Sequence, residues 1–353
     1  MYTRFGENDI VNRQAQELVT STWSNNTNNL TVAHTSSVQS DITTATSSGH
    51  FFIEVHNEAT SSTTSEVQYA VAYGHKAGSG SPDFTNDTGS FGLGASRVTY
   101  NQYRQLHYND DTKFFNFGTH TPNDIYIINV NRARYKQRLT LGTLDLQLAT
   151  TPNGAAFTRL HLTDDSVTNP AGVGTSNLGT YYNIVSGSNG VVDSATGTAT
   201  TQVGGSGSYG NFYPESGLII LNGDAFDYSG YTSMAAETAV PQLPTYTGSQ
   251  NHELLFDHIS ASGHFIVDTT EEINSEFYFC RARNDQFNYT NNESFIDANK
   301  NIRFETMKLN PKTFITTIGL YNDSFELVGL AKLSQPVAKD FTKEALIRVK
   351  LDY

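Results

Sequence analysis

Apolar and polar residues alternate along several short segments of the chain, and this two-residue period predicts β-strands. In "GTLDLQLAT", Leu144, Leu146 and Leu148 fall on one face, whereas Asp145 and Gln147 fall on the other. Strand-like segments also occur in "GHFFIEVHNEA", "EVQYAVAYGHKAGS", "NDIYIINVNRARYKQRL", "GHFIVDT" and "SEFYFCRARN". The abundant Tyr and Phe suit pleated, half-buried surfaces. The pattern therefore predicts a mostly β protein with antiparallel, sandwich-like sheets.

The last forty residues carry the most regular pattern. In "FITTIGLYNDSFELVGLAKL", the pair Asn322-Asp323 separates two apolar runs and predicts a hairpin turn, with an exit at Pro336. A final strand follows, with Ile347, Val349, Leu351 and Tyr353 on one face and Arg348, Lys350 and Asp352 on the other. The apolar face of such a strand must be covered. We expect removal of residues 346–353 to abolish folding or incorporation into an assembly.

Two segments near the N-terminus predict short helices. Asp9 is a candidate cap before apolar residues at helical spacing, which are Ile10, Val11, Ala15, Leu18 and Val19. The second segment, "SRVTYNQYRQLHYND", has Ser96 as its candidate cap.

Composition divides the chain into three predicted parts. Residues 166–212 are rich in Gly, Ser, Thr and Asn, with short apolar pairs typical of hairpins in a surface insertion. We therefore predict an N-terminal helix and β domain over residues 1–150, a Gly/Ser/Thr-rich acidic insertion over 151–215, and a C-terminal β domain over 216–353.

The net charge of −13 lies entirely in the middle of the chain. No Lys or Arg occurs between Arg159 and Arg281, where thirteen Asp and Glu residues are found. This argues against nucleic-acid binding there, because phosphate contacts require cations. A solubilising surface is the simpler interpretation. The chain shows no secretion leader and no apolar run long enough to cross a bilayer, so we expect a soluble protein without membrane contact.

The sequence gives little support for motifs of catalysis or cofactor binding. Gly205, Gly207 and Gly210 match a dinucleotide-binding spacing, but strand-like sequence follows where that motif needs a helix. No nucleophile elbow is present, and paired acids such as Asp164-Asp165 point apart on a strand. The lone Cys280 lies in an aromatic strand, where a buried, inert thiol is expected. We predict a protein that is not an enzyme and needs no cofactor.

His252, His258 and His264 recur every six residues, with Glu253 and Asp257 between them. Three imidazoles and a carboxylate are a ligand set for zinc, so a metal-dependent hydrolase is one alternative. The intervening "ELLFDHISASG" suggests two strands and a turn. Scattered polar histidines without metal are the favoured interpretation.

The one basic cluster is "NRARYKQRL", with Arg132, Arg134, Lys136 and Arg138 at every second position. On a strand this spacing places four cations on one face. They are either a solvated face or a docking strip for an acidic surface.

The ending "TTIGLYNDSFELVGLAKLSQPVAKDFTKEALIRVKLDY" resembles a segment of structural tail proteins of contractile-tailed bacteriophages, in particular baseplate wedge proteins. "FNFGTHTPNDIYIINVNRARYKQRL", "FYPESGLIILNGDA" and "EFYFCRARNDQFNYTNN" are also similar to phage virion sequences, and these segments together cover about a third of the chain. The Gly/Ser-rich middle shows no such similarity.

The resemblance implies a non-enzymatic role in the assembly of a contractile tail. The candidate interface residues lie in the basic cluster and in the final strand described above. These candidates are Arg132, Arg134, Lys136, Arg138, Ile347, Arg348, Val349, Lys350, Leu351 and Tyr353. It also implies a virion location after assembly in the host cytoplasm, other tail or baseplate proteins as partners, and several copies in a symmetric particle. The alternative is a tail-fibre or spike adhesin that binds host glycan through the aromatic loops 226–231 and 289–292.

Overall fold

The computed structural model describes residues 3–12, 16–31, 33–35, 52–78, 95–118, 121–149, 159–193, 208–227, 251–288 and 292–353. The chain forms two compact units. The smaller unit contains Met1–Glu17 and Glu272–Tyr353, and the larger contains Leu18–Glu271. The predicted domain boundaries at residues 150 and 215 both fall inside the larger unit.

Strands are the main elements of both units. They are β1 (Ile10–Asn12), β2 (Gln16–Ser21), β3 (His34–Thr35), β4 (Phe52–His56), β5 (Val67–His75), β6 (Asp124–Val130), β7 (Arg138–Leu139), β8 (Asp145–Ala149), β9 (Arg159–Asp164), β10 (Gly174–Ser176), β11 (Gly179–Ser188), β12 (Val191–Val192), β13 (Gly210–Tyr213), β14 (Leu218–Asn222), β15 (Phe265–Ile266), β16 (Asp268–Ile273), β17 (Ser275–Ala282), β18 (Thr313–Tyr321), β19 (Leu327–Lys339) and β20 (Ala345–Asp352). The α-helices are α1 (Ala95–Tyr108), α2 (Gly223–Asp227), α3 (Asn251–Ser262) and α4 (Glu305–Leu309). Short 3₁₀ turns lie at Ser24–Asn26, Arg132–Arg134, Pro214–Ser216 and Glu293–Phe295.

The larger unit is built on one twelve-stranded sheet that curls into a half-barrel. Its main path runs β15-β8-β9-β11-β13-β14-β6-β5-β4-β3, and β10 and β12 both pair with β11. Neighbours on this path pair antiparallel wherever the register is defined. A smaller sheet has the order β2-β16-β7. The mostly β, antiparallel prediction is confirmed.

The middle of the large sheet is buried on both faces. Tyr126 and Ile128 of β6 belong to one apolar cluster, while Ile125 and Ile127 belong to another. All four side chains are fully buried. This explains why β6 reads as a continuous apolar run without alternation.

Helix α1 covers one of these faces and α3 covers the other. Tyr100 and Tyr103 of α1 join the cluster around Ile125 and Ile127, and Leu255 and Ile259 of α3 join the opposite cluster. The predicted helix after residue 95 is confirmed. Ser96 lies inside its first turn rather than before it.

The segment predicted as a surface insertion, 151–215, contributes β9, β11 and β13 to the interior of the large sheet. Its apolar residues are spaced so that Leu160, Leu162 and Ile184 enter the same core cluster. A Cβ added at Gly210 would lie 2.3 Å from the Ile220 carbonyl oxygen, so the approach of β13 to β14 requires glycine there. The prediction of an added surface module is therefore corrected: these strands are part of the core.

The smaller unit holds a three-stranded sheet of order β1-β17-β20 and a separate two-stranded hairpin, β18-β19. The predicted helix in the first 22 residues is wrong, because Ile10–Asn12 and Gln16–Ser21 are strands. Ile10 and Val11 pair with Tyr278 and Phe277 of β17. Hydrogen-bonding partners on β17, together with the strand preference of β-branched residues, override the helical spacing.

Candidate assembly surface

The β18-β19 hairpin turns through residues 322–326. Asn322 N–H donates to the Glu326 carbonyl at 3.1 Å, and Asn322 Oδ1 accepts from Glu326 N–H at 2.8 Å. Phe325 N–H donates to the Asn322 carbonyl at 3.0 Å, and Phe325 itself has a left-handed conformation with φ of 62°. The predicted turn at Asn322-Asp323 is confirmed.

Strand β19 does not end at Pro336, as the sequence suggested, but continues to Lys339. Val337 pairs with Ile315 and Lys332 pairs with Thr317, so residues 333–336 bulge opposite a single residue. Proline is accommodated in a strand at such a bulge, because no ladder hydrogen bond is lost there.

One end of this hairpin exposes a group of large apolar side chains. We call this group the hairpin tip; it consists of Tyr321, Phe325, Leu327, Val328 and Leu330. Val328 is 69% exposed, Phe325 66% and Leu330 58%. Strand β19 pairs with β18 alone among the described strands. Exposed apolar residues grouped in this way are a candidate interaction site. A two-stranded hairpin is also only marginally stable by itself.

The geometry of the hairpin tip depends on Gly319. A Cβ at this position would lie 2.9 Å from the Tyr321 ring and 3.1 Å from Leu327 Cδ1. Tyr321 and Leu327 therefore lie over the glycine backbone and form one continuous apolar face with it.

The final strand, β20, alternates as predicted and pairs with β17 along its whole length, from Ala345 opposite Ala282 to Asp352 opposite Ser275. Val349 is buried, and Ile347 and Leu351 are half-buried. These three predicted interface residues therefore pack within the smaller unit.

The other predicted residues of β20 are exposed and make local contacts. The Arg348 guanidinium lies 5.1 Å from the Phe277 ring centroid, and Lys350 Nζ lies 2.8 Å from an Asp352 oxygen. Tyr353 Oη donates to Glu276 Oε1 at 3.0 Å. Exposed pairs of this kind contribute little stability, so Arg348, Lys350 and Tyr353 remain accessible to a neighbour.

The basic residues 132–138 do not lie on one strand face, so that prediction is corrected. Asn131 Oδ1 accepts from Ala133 N–H and starts a 3₁₀ turn over Arg132–Arg134, and only Arg138 enters a strand. Arg132 Nη1 donates to the Tyr135 carbonyl at 2.6 Å and lies over the Tyr135 ring. The Lys136 side chain is exposed.

Arg134 is held inside the larger unit. Its Nη1 lies 2.6 Å from Glu66 Oε2 and also donates to Ser24. Hydrogen bonds from Ser24 and then Arg134 lower the pKa of Glu66. Four parallel cations are therefore absent from this segment, and Arg134 in particular serves an internal contact.

The histidines at six-residue spacing are also separated by the fold. Residues 251–262 form helix α3 instead of two strands, because Leu255 and Ile259, four residues apart, pack into the core. His252 and His258 are buried in this helix, and burial lowers the pKa of His252 to about 4. Within the described residues, no group of three His, Cys, Asp or Glu side chains is placed to hold a metal ion.

His264 instead belongs to a polar cluster that the sequence did not indicate. Its Nε2 lies 3.0 Å from Asp145 Oδ2, and its Nδ1 lies 3.2 Å from Asn29 Nδ2. Ser188 Oγ donates to the same Asp145 oxygen at 2.9 Å, and His161 Nδ1 lies 3.6 Å from Asp145 Oδ1. Asp145 is buried although the alternation of β8 placed it on a polar face.

This cluster lacks the connectivity of a nucleophilic triad. Ser188 donates to the carboxylate and not to an imidazole, and both ring nitrogens of His264 are engaged. Its hydrogen bonds join β8, β11 and the start of β15. We interpret the cluster as a structural link between strands.

The remaining motifs give no site. Gly210 is followed by strands β13 and β14, as predicted, while Gly205 and Gly207 lie outside the described residues. Cys280 is half-buried in β17, and burial raises the pKa of its thiol, which makes the thiolate scarcer at neutral pH. The proposed glycan-binding residues 228–231 and 289–291 also lie outside the described part of the chain.

No protein-family model, curated protein or solved structure matches this chain. No helix in the described part of the chain combines the length and hydropathy needed to span a membrane.

Proposed function

We propose that this protein is a non-enzymatic assembly component that holds neighbouring subunits through the hairpin tip. The observation that carries the proposal is the exposure of five large apolar side chains on a hairpin whose two strands pair only with each other among the described residues. Complete burial of one such side chain contributes about 1.5–3 kcal/mol. Covering this surface with a partner is therefore strongly favourable.

The composition of the tip suits a protein–protein contact. Tyr321 and Phe325 are aromatic, and aromatic residues are enriched in interface cores. Arg348, Lys350 and Tyr353 on β20 of the same unit are also exposed and offer polar groups of the kind found at interfaces.

The biological setting rests on the resemblance of the C-terminal segment to baseplate wedge proteins of contractile phage tails. In that setting the chain is a virion protein, assembled in the host cytoplasm and present in several copies. Its partners are other tail or baseplate proteins, and its work requires no cofactor, nucleic acid or membrane.

The test is co-production of the full chain with the tail proteins encoded beside it. The variant Leu327→Asp/Leu330→Asp is expected to fold but to lose co-purification with them. Leu309→Asp is the matched control, because Leu309 is 95% exposed in the same unit and lies outside the tip. The proposal is contradicted if the natural chain and both variants co-purify equally with the tail proteins, or if the natural chain does not co-purify with them.

A further inference from the structure

Among the described residues, the outer edge of β19 at the hairpin tip has no strand paired with it. The segment from Leu327 to Lys332 precedes the long bulge at residues 333–336. A single-residue bulge also lies within this segment, because Gly329 pairs with Leu320 and Leu327 pairs with Tyr321, which leaves Val328 as the extra residue. A free edge presents unpaired N–H and C=O groups that add a further strand readily. The bulge and Pro336 interrupt this edge toward the base, so pairing is restricted to the tip.

The sequence along this edge is symmetric in its chemistry. It reads "ELVGLAK", with Gly329 at the centre, apolar residues on both sides and opposite charges at the ends, Glu326 and Lys332. Antiparallel pairing of this segment with an identical one about Gly329 places Val328 opposite Leu330 and Glu326 opposite Lys332 of the second copy.

The central residue is compatible with a two-fold axis. Identical residues of two copies meet at such an axis, and Gly329 has no side chain to collide with its equivalent. Val328 and Leu330, on either side of it, are among the most exposed apolar residues of the hairpin. Lys332 is exposed and has no ion-pair partner among the described residues, whereas Glu326 is bonded only to Asn322.

We propose, as a refinement that rests on the assembly function above, that two copies of this chain pair edge to edge through residues 326–332 with a two-fold axis at Gly329. The pairing is isologous, so each Glu326 meets the Lys332 of the other copy. One short strand pair buries less surface than a standard stable interface. The free dimer is therefore expected to be weak, with a Kd on the order of micromolar.

Charge exchange tests the register. Sedimentation velocity of the full chain from about 1 to 200 μM is expected to show a monomer–dimer equilibrium. Lys332→Glu and Glu326→Lys are each expected to weaken dimerisation by roughly tenfold, because like charges then oppose each other. The double variant restores both pairs and is expected to recover most of the affinity, which a loss of folding cannot produce.

Cysteine cross-linking tests the geometry. In a Cys280→Ser background, a mixture of Val328→Cys and Leu330→Cys chains is expected to form disulfide dimers faster than either chain alone. Leu346→Cys mixed with Leu330→Cys is the control, since Leu346 is similarly exposed but lies on β20. Gly329→Cys is expected to cross-link with itself.

Two results overturn the pairing. One is a monomer at every concentration. The other is that the double charge variant does not recover affinity and that the Val328→Cys and Leu330→Cys mixture cross-links no faster than the control. In either case, loss of co-purification by Leu327→Asp/Leu330→Asp would still support assembly through the tip with a different protein. If that variant also co-purifies normally, the proposed function fails as well.

Discussion

Strands β6 and β18 are both rich in apolar residues, but β6 is almost entirely buried and β18 is largely exposed. In "DIYIINV", Tyr126 and Ile128 are fully buried, whereas in "TFITTIGLY" Phe314 and Tyr321 are exposed. Strand β6 has β5 and β14 as neighbours and packed layers on both faces, whereas β18 pairs only with β19 in the described part of the chain. Burial is therefore set by the number of neighbouring elements, and an exposed apolar strand indicates a missing neighbour.

Two natural probes allow the units to be followed separately. The only tryptophan, Trp23, is buried in the larger unit, where its Nε1 donates to the Phe265 carbonyl at 2.7 Å. The only cysteine, Cys280, is half-buried in β17 of the smaller unit. Tryptophan fluorescence and thiol reactivity thus report on different parts of the chain.

The largest effect is expected from deletion of residues 346–353. This removes almost all of β20, the strand that pairs with β17 over eight residues. Cys280 should then react with a thiol reagent at the rate of an unfolded chain, while Trp23 emission keeps its buried character. The control Leu346→Ser/Tyr353→Ser keeps the strand and should protect Cys280; protection in the deletion would contradict the role of β20.

The next largest effect is expected from a cavity in the apolar core of the larger unit. Ile128→Ala should lower the free energy of unfolding by about 3–4 kcal/mol, because Ile128 is fully buried and the core cannot close over the cavity. Urea unfolding followed by Trp23 fluorescence measures this. Val167→Ala, at an exposed site of the same unit, should stay within about 0.5 kcal/mol. Equal losses of unfolding free energy in the two variants would show that packing around Ile128 does not determine the stability of the larger unit.

Acid should weaken the larger unit through its buried histidines. Burial lowers the pKa of His107 and of His252 from 6.5 to about 4. Between pH 6.5 and 4 the unfolded chain binds protons that the folded chain does not, so stability is full above pH 6.5 and falls as the pH decreases toward 4. Each histidine accounts for up to about 3 kcal/mol.

The comparison of His107→Gln with the natural chain isolates one of these groups. Burial raises the pKa of Asp165, and this carboxyl acts in the opposite direction, so only the difference between the two chains is informative. The variant should lose less stability between pH 6.5 and 4 in urea titrations. An unchanged pH dependence would contradict the neutral, buried state of His107.

The smallest effect on folding is expected at the hairpin tip. Leu330→Ala should change the free energy of unfolding of the isolated chain by less than about 0.5 kcal/mol, since Leu330 is mostly exposed there. The same change should weaken co-purification with partner proteins. Thermal unfolding beside a co-purification assay separates the two outcomes, and a large loss of stability without loss of binding would assign Leu330 to the core instead.

Sequence patterns predicted the local features of the fold that depend on near neighbours. The alternation of Leu144 to Leu148, the turn at Asn322 and the alternation of β20 are set within a few residues. Helix α3 and strand β1 were missed because distant partners decide them: Leu255 packs on the large sheet and Ile10 pairs with Tyr278.

The candidate surface was only partly predictable for the same reason. The hairpin itself follows from its turn, but the exposure of Val328 and Leu330 depends on β19 having one strand neighbour. The available signal was "LVGL", which places apolar residues on successive positions without the polar alternation of a half-buried strand. The two-residue spacing of the cations at 132–138 predicted a strand face wrongly, because residues Arg132–Arg134 form a 3₁₀ turn.

The most direct test of assembly through the hairpin tip is an electron-microscopy map of the assembled particle, with this chain located by its sequence. We predict that density of a neighbouring chain covers Val328 and Leu330, and that β19 gains a strand along its outer edge. A map in which the tip faces solvent in every copy would contradict the account.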